Sequence, residues 1–353
     1  MSEEVLLEAA RRGDEGAYAE LVAPRRAELH AHCYRMLGSV QDAEDALQEA
    51  LLRAWRGLPR FQGRSSVRSW LYRIATNTCL DALGRRPART LPLDHGPASD
   101  PHDGPGRPLV ESVWIEPYPD ERLAARLDED APEVRYDMRE SVELAFVAAL
   151  QHLPPRQRAV LILREVLGFS AAEVAEELAT TVASVNSALQ RARASLDERL
   201  PDESQQAVAR RLGDAELREI VDRYVAAWEA GDVEAVVGML AEDVVVTMPP
   251  MATWYAGRDA ARVFLEEFAF ARRWSRDREV FEAGVRDVRL VRTSANGQPA
   301  LAAYNRDPED GRLRPYALQV LTLRGGLIAQ VDGFVTPRHF PAFGLPDVLE
   351  DRP

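Results

Sequence analysis

The sequence contains no lysine, so arginine supplies all 44 of its basic residues. This absence excludes Schiff-base catalysis, pyridoxal enzymes and the GK[ST] phosphate loop. There are only two cysteines, Cys33 and Cys79, which are too few for a disulfide scaffold and fit a reducing compartment. His30, His32 and Cys33 lie close together in HAHCYRM, but this spacing on a helix does not bring the side chains to one ion. We therefore expect no metal and no cofactor.

Long apolar runs are also missing. No stretch approaches the roughly 20 residues needed to span a bilayer, and the start MSEEVLLEAA lacks the basic and apolar regions of a signal peptide. The sequence therefore predicts a cytoplasmic protein with no membrane partner.

Charge is divided unevenly along the chain. The 353 residues carry a net charge of -13, which excludes a protein that coats nucleic acid indiscriminately. Residues 60–90 hold seven arginines and one acid, whereas residues 94–137 hold twelve acids and four arginines. Residues 87–137 also contain nine prolines, which predicts an extended, poorly ordered linker. Trp114 and Tyr118 leave open whether this linker docks somewhere or is a solvated tether.

Residues 154–199 have the pattern of a helix-turn-helix. Ser170 and Glu173 form an S-x-x-E capping box at the start of a short helix. Thr180 and Thr181 interrupt the pattern and can cap a second helix that begins near Val182. This arrangement is typical of DNA-binding domains.

The second helix has one apolar and one polar face. Val185, Leu189, Ala192 and Leu196 fall on the apolar face. The polar face therefore carries side chains that can bind base edges or phosphates: Ser184, Asn186, Ser187, Gln190 and Arg191. The alternative is an ordinary helical hairpin whose polar face is solvated.

The first 86 residues are predicted to form amphipathic helices. In the helix that begins near Asp42, Leu47, Leu51, Ala54 and Trp55 face inward. The opposite face would be an acidic docking surface with Asp45, Gln48 and Glu49. Acids near a helix N-terminus also complement its dipole, which is the simpler explanation.

The next segment combines arginines with aromatic residues. A polar loop after Pro59 leads into a helix with Trp70, Tyr72, Arg73 and Asn77. Aromatic side chains among arginines suit unstacked single strands, because each stacked base contributes about 1–3 kcal/mol. The alternative is that Trp70, Leu71 and Ile74 belong to the core, and we adopt it for Leu71 and Ile74.

Three motifs of the first 200 residues together resemble bacterial sigma factors of the extracytoplasmic-function group. They are DAEDALQEALLRAW, FQGRSSVRSWLYRIATNTCLD and LPPRQRAVLILREVLGFSAAEVAEEL followed by SVNSALQRAR. The resemblance implies a region 2 helical bundle and a region 4 helix-turn-helix. Its implied partners are promoter DNA and core RNA polymerase, through the beta-prime clamp helices and the beta flap.

The resemblance also implies a role for each group of residues. Asp45, Gln48 and Glu49 match the positions that dock on the clamp helices. Residues 61–67 match the loop that receives a flipped base, so the minus-ten and melting set is Phe61, Arg64, Trp70, Tyr72, Arg73 and Asn77. The helix-turn-helix residues named above match those that bind the minus-thirty-five element, although Asn186 and Gln190 differ from some relatives, which predicts a shifted promoter preference. The linker would thread through the polymerase.

From Gly213 onward the pattern changes. Two amphipathic helices, a strand and a third helix precede alternating apolar and polar runs. The runs are joined by the hairpin dipeptides Asn296-Gly297, Asp310-Gly311 and Gly325-Gly326. Helices followed by a curved antiparallel sheet predict an α+β cone with a cavity between them.

This last region resembles the SnoaL-like branch of the nuclear-transport-factor-like superfamily, through AAWEAGDVEAVVGMLAEDVVVTMPP and WYAGRDAARVFL. The whole chain then matches the SigG/SigJ-like group of sigma factors with such a fused domain. Some superfamily members are enzymes, so Asp332, His339 and Tyr304 are candidate catalytic residues. The predicted ligand pocket is Trp254, Tyr255 and Asp332, and the tail with Phe340, Phe343 and Leu345 is a candidate latch.

The prediction is a multidomain, non-enzymatic sigma factor with two all-α sigma domains and an α+β SnoaL-like cone. Its predicted parts are region 2 (1–88), the linker (89–137), region 4 (138–201), the SnoaL-like domain (205–340) and the tail (341–353). The fused domain would modulate activity through a small-molecule ligand or an intramolecular contact. The alternatives are a small-molecule enzyme in the last domain and a helix-turn-helix repressor for the whole chain.

Overall fold

The computed structural model describes residues 1–63, 65–85, 87–109, 114–124, 139–270 and 287–350. The chain forms two compact units. Unit 1 comprises Met1–Arg89 with Glu121–Pro201, and unit 2 comprises Thr90–Asp120 with Asp202–Pro353. The predicted linker 89–137 is therefore divided between the two units. No helix in these described ranges is both long and apolar enough to cross a membrane.

Unit 1 is helical. Its described α-helices are α1 Glu3–Arg11, α2 Glu15–Val22, α3 Arg26–Leu37, α4 Val40–Gly57, α5 Val67–Leu83, α6 Glu121–Ala124, α7 Leu144–Gln151, α8 Pro155–Leu161, α9 Ala171–Glu177 and α10 Val182–Asp197. A π-helical turn, Ile162–Val166, continues α8. Helices α3, α4 and α5 pack together as the predicted region 2 bundle, and α8 packs on α10.

The predicted caps position the helix-turn-helix. The Glu173 amide donates to Ser170 Oγ at 3.2 Å, and the Ser170 amide donates to Glu173 Oε2 at 2.7 Å. Thr181 caps α10 by accepting from the Ser184 amide at 3.1 Å. Ala179, with φ of 49°, makes the left-handed turn between the two helices. These local bonds fix where each helix begins.

A buried guanidinium joins α8 to the region 2 bundle. Arg158 is 1% exposed, and it donates to the carbonyls of Met36, Gln151 and Leu153 and to Gln151 Oε1. Arg35 of α3 donates in turn to Ser141 Oγ at 2.8 Å. Regions 2 and 4 are thus held together through hydrogen-bonded arginines.

The described part of unit 2 contains three α-helices and a six-stranded sheet. The elements are α11 Gln205–Ala230, α12 Val233–Gly238, β1 Leu240–Thr247, β2 Trp254–Ala256, α13 Arg258–Phe264, β3 Arg289–Ala295, β4 Gln298–Arg306, β5 Leu313–Arg324 and β6 Leu327–Phe334. A π-helical turn, Leu265–Ala269, extends α13. Apolar residues of the helices and of one sheet face form the core.

The sheet has the order β2-β1-β6-β5-β4-β3. The predicted curved antiparallel sheet is mixed: among the described strands β1 and β6 pair in parallel, and the other neighbours pair antiparallel. The predicted hairpins are confirmed: Asn296 and Gly297 have φ of 58° and 71° and join β3 to β4. Such positive angles suit an Asn-Gly turn and the twist of the strands it connects.

Part of the linker docks on unit 2. We call residues 90–109 and 114–120 the docked linker. Trp114 and Ile115 are 5% and 1% exposed, and Tyr118 is fully buried. The Tyr118 amide donates to Asn296 Oδ1, and the Asn296 amide donates to the Tyr118 carbonyl, both at 2.8 Å. The prediction of a poorly ordered segment was wrong here, because its aromatic residues are buried; residues 125–137 lie outside the described ranges.

The tail also packs within unit 2. A 3-10 helix, Pro337–Phe343, buries Phe340 and Phe343. The Tyr304 hydroxyl donates to the Pro346 carbonyl at 2.9 Å, and the Tyr304 ring meets Phe340 edge-on at 5.2 Å. The two phenylalanines are therefore anchors, as predicted, although their contacts lie within the domain itself.

We expect Arg158→Ala to destabilise unit 1 by about 3 kcal/mol, because it leaves several buried carbonyls without a donor. The measurement is urea unfolding, monitored by the hydrogen exchange of peptides from unit 1. The matched control is Arg156→Ala, since Arg156 is exposed on the same helix. Equal effects of the two substitutions would contradict the role given to Arg158.

Candidate nucleic-acid and polymerase interfaces

The polar face of α10 is open to solvent. Val185, Leu189, Ala192 and Leu196 are buried, as their spacing predicts. The predicted base-reading residues are all exposed: Ser184, Asn186, Ser187, Gln190 and Arg191. Asn and Gln can bind adenine and Arg can bind guanine through paired hydrogen bonds. The helix therefore presents a row of groups suited to the major groove.

The predicted minus-ten residues are only partly accessible. Asn77 is exposed and Arg73 half-buried. Trp70 is 6% exposed and packs on Phe61, with ring centroids 4.9 Å apart. The expectation that Trp70 presents a free stacking surface was wrong for this arrangement, because the two rings pack on each other. Arg64 lies outside the described residues.

Region 4 covers the other aromatic residue of α5. Tyr72 is fully buried, and its ring meets Phe169 of region 4 at 5.5 Å. The Arg68 guanidinium lies over both rings, 5.1 Å from Tyr72 and 5.0 Å from Phe169. A cation above two aromatic rings contributes about 0.5–2 kcal/mol. Tyr72 is therefore also not exposed for stacking, since an element about 100 residues away packs on it.

A carboxyl group is buried next to this contact. Glu177 of α9 is 7% exposed, and neither of its oxygens has a hydrogen-bond partner among the described residues. Burial raises the pKa of Glu177 to about 7, while the positive charges of Arg73 and Arg68 act in the opposite direction. Region 4 thus places an acid close to two arginines of α5.

The predicted polymerase-docking residues form an exposed strip on α4. Asp45, Gln48 and Glu49 are all exposed. Neighbours on the surface restrain them: Gln41 donates to Asp45 at 3.2 Å, and Arg53 donates to Glu49 at 2.8 Å. The strip is therefore acidic, ordered and accessible.

Unit 2 contains a cavity between the sheet and the helices, as predicted. It offers about 70 Å³ to the centres of water molecules. Its wall consists of Trp228, Val246, Thr247, Met248, Phe264, Phe268, Ala269, Val288, Ala303, Tyr316, Ala317, Gln319, Val331, Gly333 and Val335. None of these described wall residues is an acid, a histidine or an arginine. The cavity is suited to an uncharged molecule.

The predicted pocket residues do not belong to this wall. Asp332 accepts from Thr247 Oγ1 at 2.8 Å and from Gln330 at 2.9 Å, and burial raises its pKa to about 6. Side chains alternate along β6, so Asp332 faces away from Val331 and Gly333. Tyr255 packs against Phe264, and the Trp254 indole donates to the Gly96 carbonyl of the docked linker at 2.9 Å. The pocket assignment of these three residues was wrong.

The other candidate catalytic residues do not line the cavity either. The Tyr304 hydroxyl is bonded to the Pro346 carbonyl, and the His339 ring meets Phe334 edge-on at 5.9 Å. The sequence reasoning did not identify Phe169, Arg68 or Glu177. A large aromatic residue next to the turn glycine Gly168 was the available signal, but its partner could not be known from local pattern.

Three protein families match the chain. Sigma-70 region 2 matches residues 21–89, sigma-70 region 4 matches residues 143–196, and the SnoaL-like domain matches residues 221–331. The first two correspond to the α3–α5 bundle and the helix-turn-helix of unit 1. The third corresponds to the cone in unit 2.

Two similar proteins match nearly the whole chain, and a third matches about half of it. The ECF RNA polymerase sigma factor SigG of Mycobacterium tuberculosis (strain ATCC 25618 / H37Rv) is 44% identical over 340 residues, which cover 96% of this chain and 86% of that protein. The RNA polymerase sigma-H factor of Pseudomonas aeruginosa is 33% identical over 198 residues, covering 55% of this chain and 92% of that protein. The crystal structure of the M. tuberculosis extracytoplasmic function sigma factor SigJ shares the fold, with a TM-score of 0.57 and 24% identity over 93% of this chain and 99% of that one.

These similarities do not favour a helix-turn-helix repressor or an enzyme. Sigma factors act with core RNA polymerase on promoter DNA, and initiation is not an enzymatic activity of the sigma chain itself. The chain belongs to the extracytoplasmic-function RNA polymerase sigma factors and carries a SnoaL-like domain fused to its region 4.

Proposed function

We propose that α10 binds the minus-thirty-five element through Ser184, Asn186, Ser187, Gln190 and Arg191. The observation that carries this proposal is the exposure of all five side chains on one face, opposite a buried apolar face. Residues near the start of a recognition helix reach base edges in the major groove. Thr181 fixes that start by capping the helix.

We also propose that Phe61, Arg64, Trp70, Tyr72, Arg73 and Asn77 bind the melted minus-ten element after regions 2 and 4 separate. Asn77 is already exposed, but Phe169 covers Tyr72. Stacking on a base requires an accessible ring. The arrangement described above is then a closed state, and promoter binding requires an open one.

The polymerase contacts follow from the acidic strip on α4. We propose that Asp45, Gln48 and Glu49 bind the beta-prime clamp helices and that region 4 binds the beta flap. Their exposure and the ordered carboxylates support this assignment. The protein would therefore act in the cytoplasm, where the polymerase is.

The fused domain is proposed to modulate activity by holding the linker. In an initiating complex the linker would run through the polymerase, so it cannot remain docked on unit 2. The docked linker is tied by the paired bonds between Tyr118 and Asn296 and by the bond between Glu116 and Arg338 at 3.1 Å. Docking thereby opposes initiation by the free energy of these contacts.

Base recognition by α10 gives the first test. We expect Gln190→Ala and Arg191→Ala each to lower initiation at promoters of this sigma factor roughly tenfold, because a bidentate base contact contributes about 1–3 kcal/mol. The measurement is in vitro transcription with core polymerase. Arg199→Ala, beyond the end of α10, is the control; an equal loss for Arg199→Ala would contradict the assignment.

Glu177 gives a test with a defined pH dependence. Its pKa is about 7 when buried and has the ordinary value of 4.5 when exposed. At pH values between these two pKa values, the closed state therefore binds more protons than a state in which Glu177 is exposed. The stability of the closed state is highest below the lower pKa, falls as the pH rises between the two values, and is lowest above the higher pKa. We expect the loss to be on the order of 2 kcal/mol.

The measurement is urea unfolding of unit 1 at several pH values between the two limits. Glu177→Gln should remove most of this pH dependence, since the amide does not ionise. Glu176→Gln is the control, because Glu176 is exposed on the same helix. An unchanged slope in Glu177→Gln would show that other groups govern the effect.

The docked linker gives the third test. Asn296→Gly keeps a residue that tolerates the positive φ but removes the acceptor for the Tyr118 amide. We expect it to raise initiation by the full chain about threefold to tenfold, as for one lost buried hydrogen bond. Asn296→Asp retains an acceptor oxygen and should leave initiation nearly unchanged. Lower initiation with Asn296→Gly would mean that docking assists the polymerase.

A further inference from the structure

We infer that the cavity of unit 2 binds an uncharged, mainly apolar molecule that offers one oxygen as a hydrogen-bond acceptor to Gln319. This inference rests on the proposed regulatory role of unit 2. It specifies the class of ligand and the contact through which a ligand in the cavity would affect the docked linker.

The composition of the wall limits the ligand to neutral molecules. Apart from Thr247, Tyr316, Gln319 and the indole of Trp228, the wall is apolar. A charged group in such surroundings would lose its hydration without gaining a partner of opposite charge. Thr247 is not available for the ligand as a donor, because its hydroxyl donates to Asp332 at 2.8 Å.

The direction of one hydrogen bond makes Gln319 a donor to the cavity. The Tyr224 hydroxyl donates to Gln319 Oε1 at 3.2 Å, and both residues are buried. Trp228 is next to Tyr224, and an indole N–H can only donate. The Trp228 N–H makes no hydrogen bond among the described residues, and the Tyr224 hydroxyl remains the donor to Gln319 Oε1. The Gln319 Nε2 group is left to bind an acceptor.

The size of the cavity suits a small ring. One water molecule needs about 10–15 Å³ of space open to its centre. The cavity offers about 70 Å³ of such space, so it has room for several waters or for one small ring in their place. A cyclic ketone combines this volume with a single acceptor oxygen.

Phe268 connects the cavity to the docked linker. Its ring forms part of the wall, and a Cβ atom built on Gly104 would lie only 2.7 Å from that ring. Gly104 also has φ of 75°, which favours glycine. Next to this contact, His102 Nδ1 lies 3.1 Å from Glu267 Oε1. A ligand that moves the Phe268 ring therefore pushes directly on the backbone of the docked linker.

The test uses three probes of equal size on the full chain: cyclohexanone, methylenecyclohexane and cyclohexylammonium. Binding is measured by nuclear magnetic resonance titration. We expect cyclohexanone to bind about threefold to tenfold more tightly than methylenecyclohexane, the difference that one net hydrogen bond makes. Cyclohexylammonium should not bind. Equal binding of the first two probes, or preference for the cation, overturns the inference.

Two variants separate the hydrogen bond from the space. Gln319→Met should weaken cyclohexanone binding to the level of methylenecyclohexane and leave the latter unchanged. Ala317→Leu, which fills the cavity, should abolish both. Thermal unfolding confirms that each variant is folded. If Gln319→Met weakens both probes equally, Gln319 has no donor role and the inference fails.

The connection through Phe268 has its own readout. Saturating cyclohexanone should speed hydrogen exchange of residues 96–109 at least twofold, and Phe268→Ala should remove that response. Exchange that is unchanged by bound cyclohexanone overturns the connection to the linker. The binding and exchange measurements involve no polymerase, so they test the ligand inference alone. The proposed sigma activity is tested separately, by in vitro transcription.

Discussion

The hydrogen bonds of Arg158 hold the helical unit together. Helices end with carbonyl groups that have no partner within the helix, and burying them without a donor is costly. Arg158 donates to the Met36 carbonyl in the last turn of α3. It also donates to the carbonyls of Gln151, the last residue of α7, and of Leu153, which follows shortly after it. A planar guanidinium with five N–H groups can serve several acceptors at once. The same side chain thereby fixes region 4 against region 2.

This attachment has a direct consequence for promoter binding. With region 4 in place, Phe169 and Arg68 cover Tyr72, and Glu177 lies close to Arg73. The recognition face of α10 remains exposed at the same time. The proposed closed state would therefore present the proposed minus-thirty-five residues but not the proposed aromatic melting residues. Core polymerase, which would bind both regions, can supply the free energy that separates them.

Local chemistry made much of the fold predictable. The Ser170 capping box, the apolar face of α10 and the Asn296-Gly297 turn depend on residues close together in sequence, and the structure confirms each one. Strict alternation along β6 also contained the information that Asp332 points away from Val331 and Gly333. Asp332 was predicted to lie in the pocket from the resemblance to superfamily enzymes, whereas alternation along the strand places its side chain on the opposite face.

Other features depend on distant partners. Burial of Tyr72 requires Phe169, and docking of Tyr118 requires Asn296, so neither follows from nearby residues. The parallel pairing of β1 with β6 is likewise set by the course of the whole chain. Composition was misleading for the linker: proline and acid content disfavour a core, but Trp114, Ile115 and Tyr118 bury enough apolar surface to dock the segment.

The buried carboxyl group of the cone domain lies apart from its cavity. Acid–base catalysis needs a titratable group within hydrogen-bond reach of the substrate. The buried carboxyl of Asp332 lies on the opposite sheet face, bonded to Thr247 and Gln330, and the described wall of the cavity is uncharged. A molecule bound there would meet mainly apolar side chains together with the polar groups of Gln319 and Tyr316. Because the Phe268 ring lines the cavity and also lies close to Gly104, a bound molecule that moved this ring would act on the linker by binding alone.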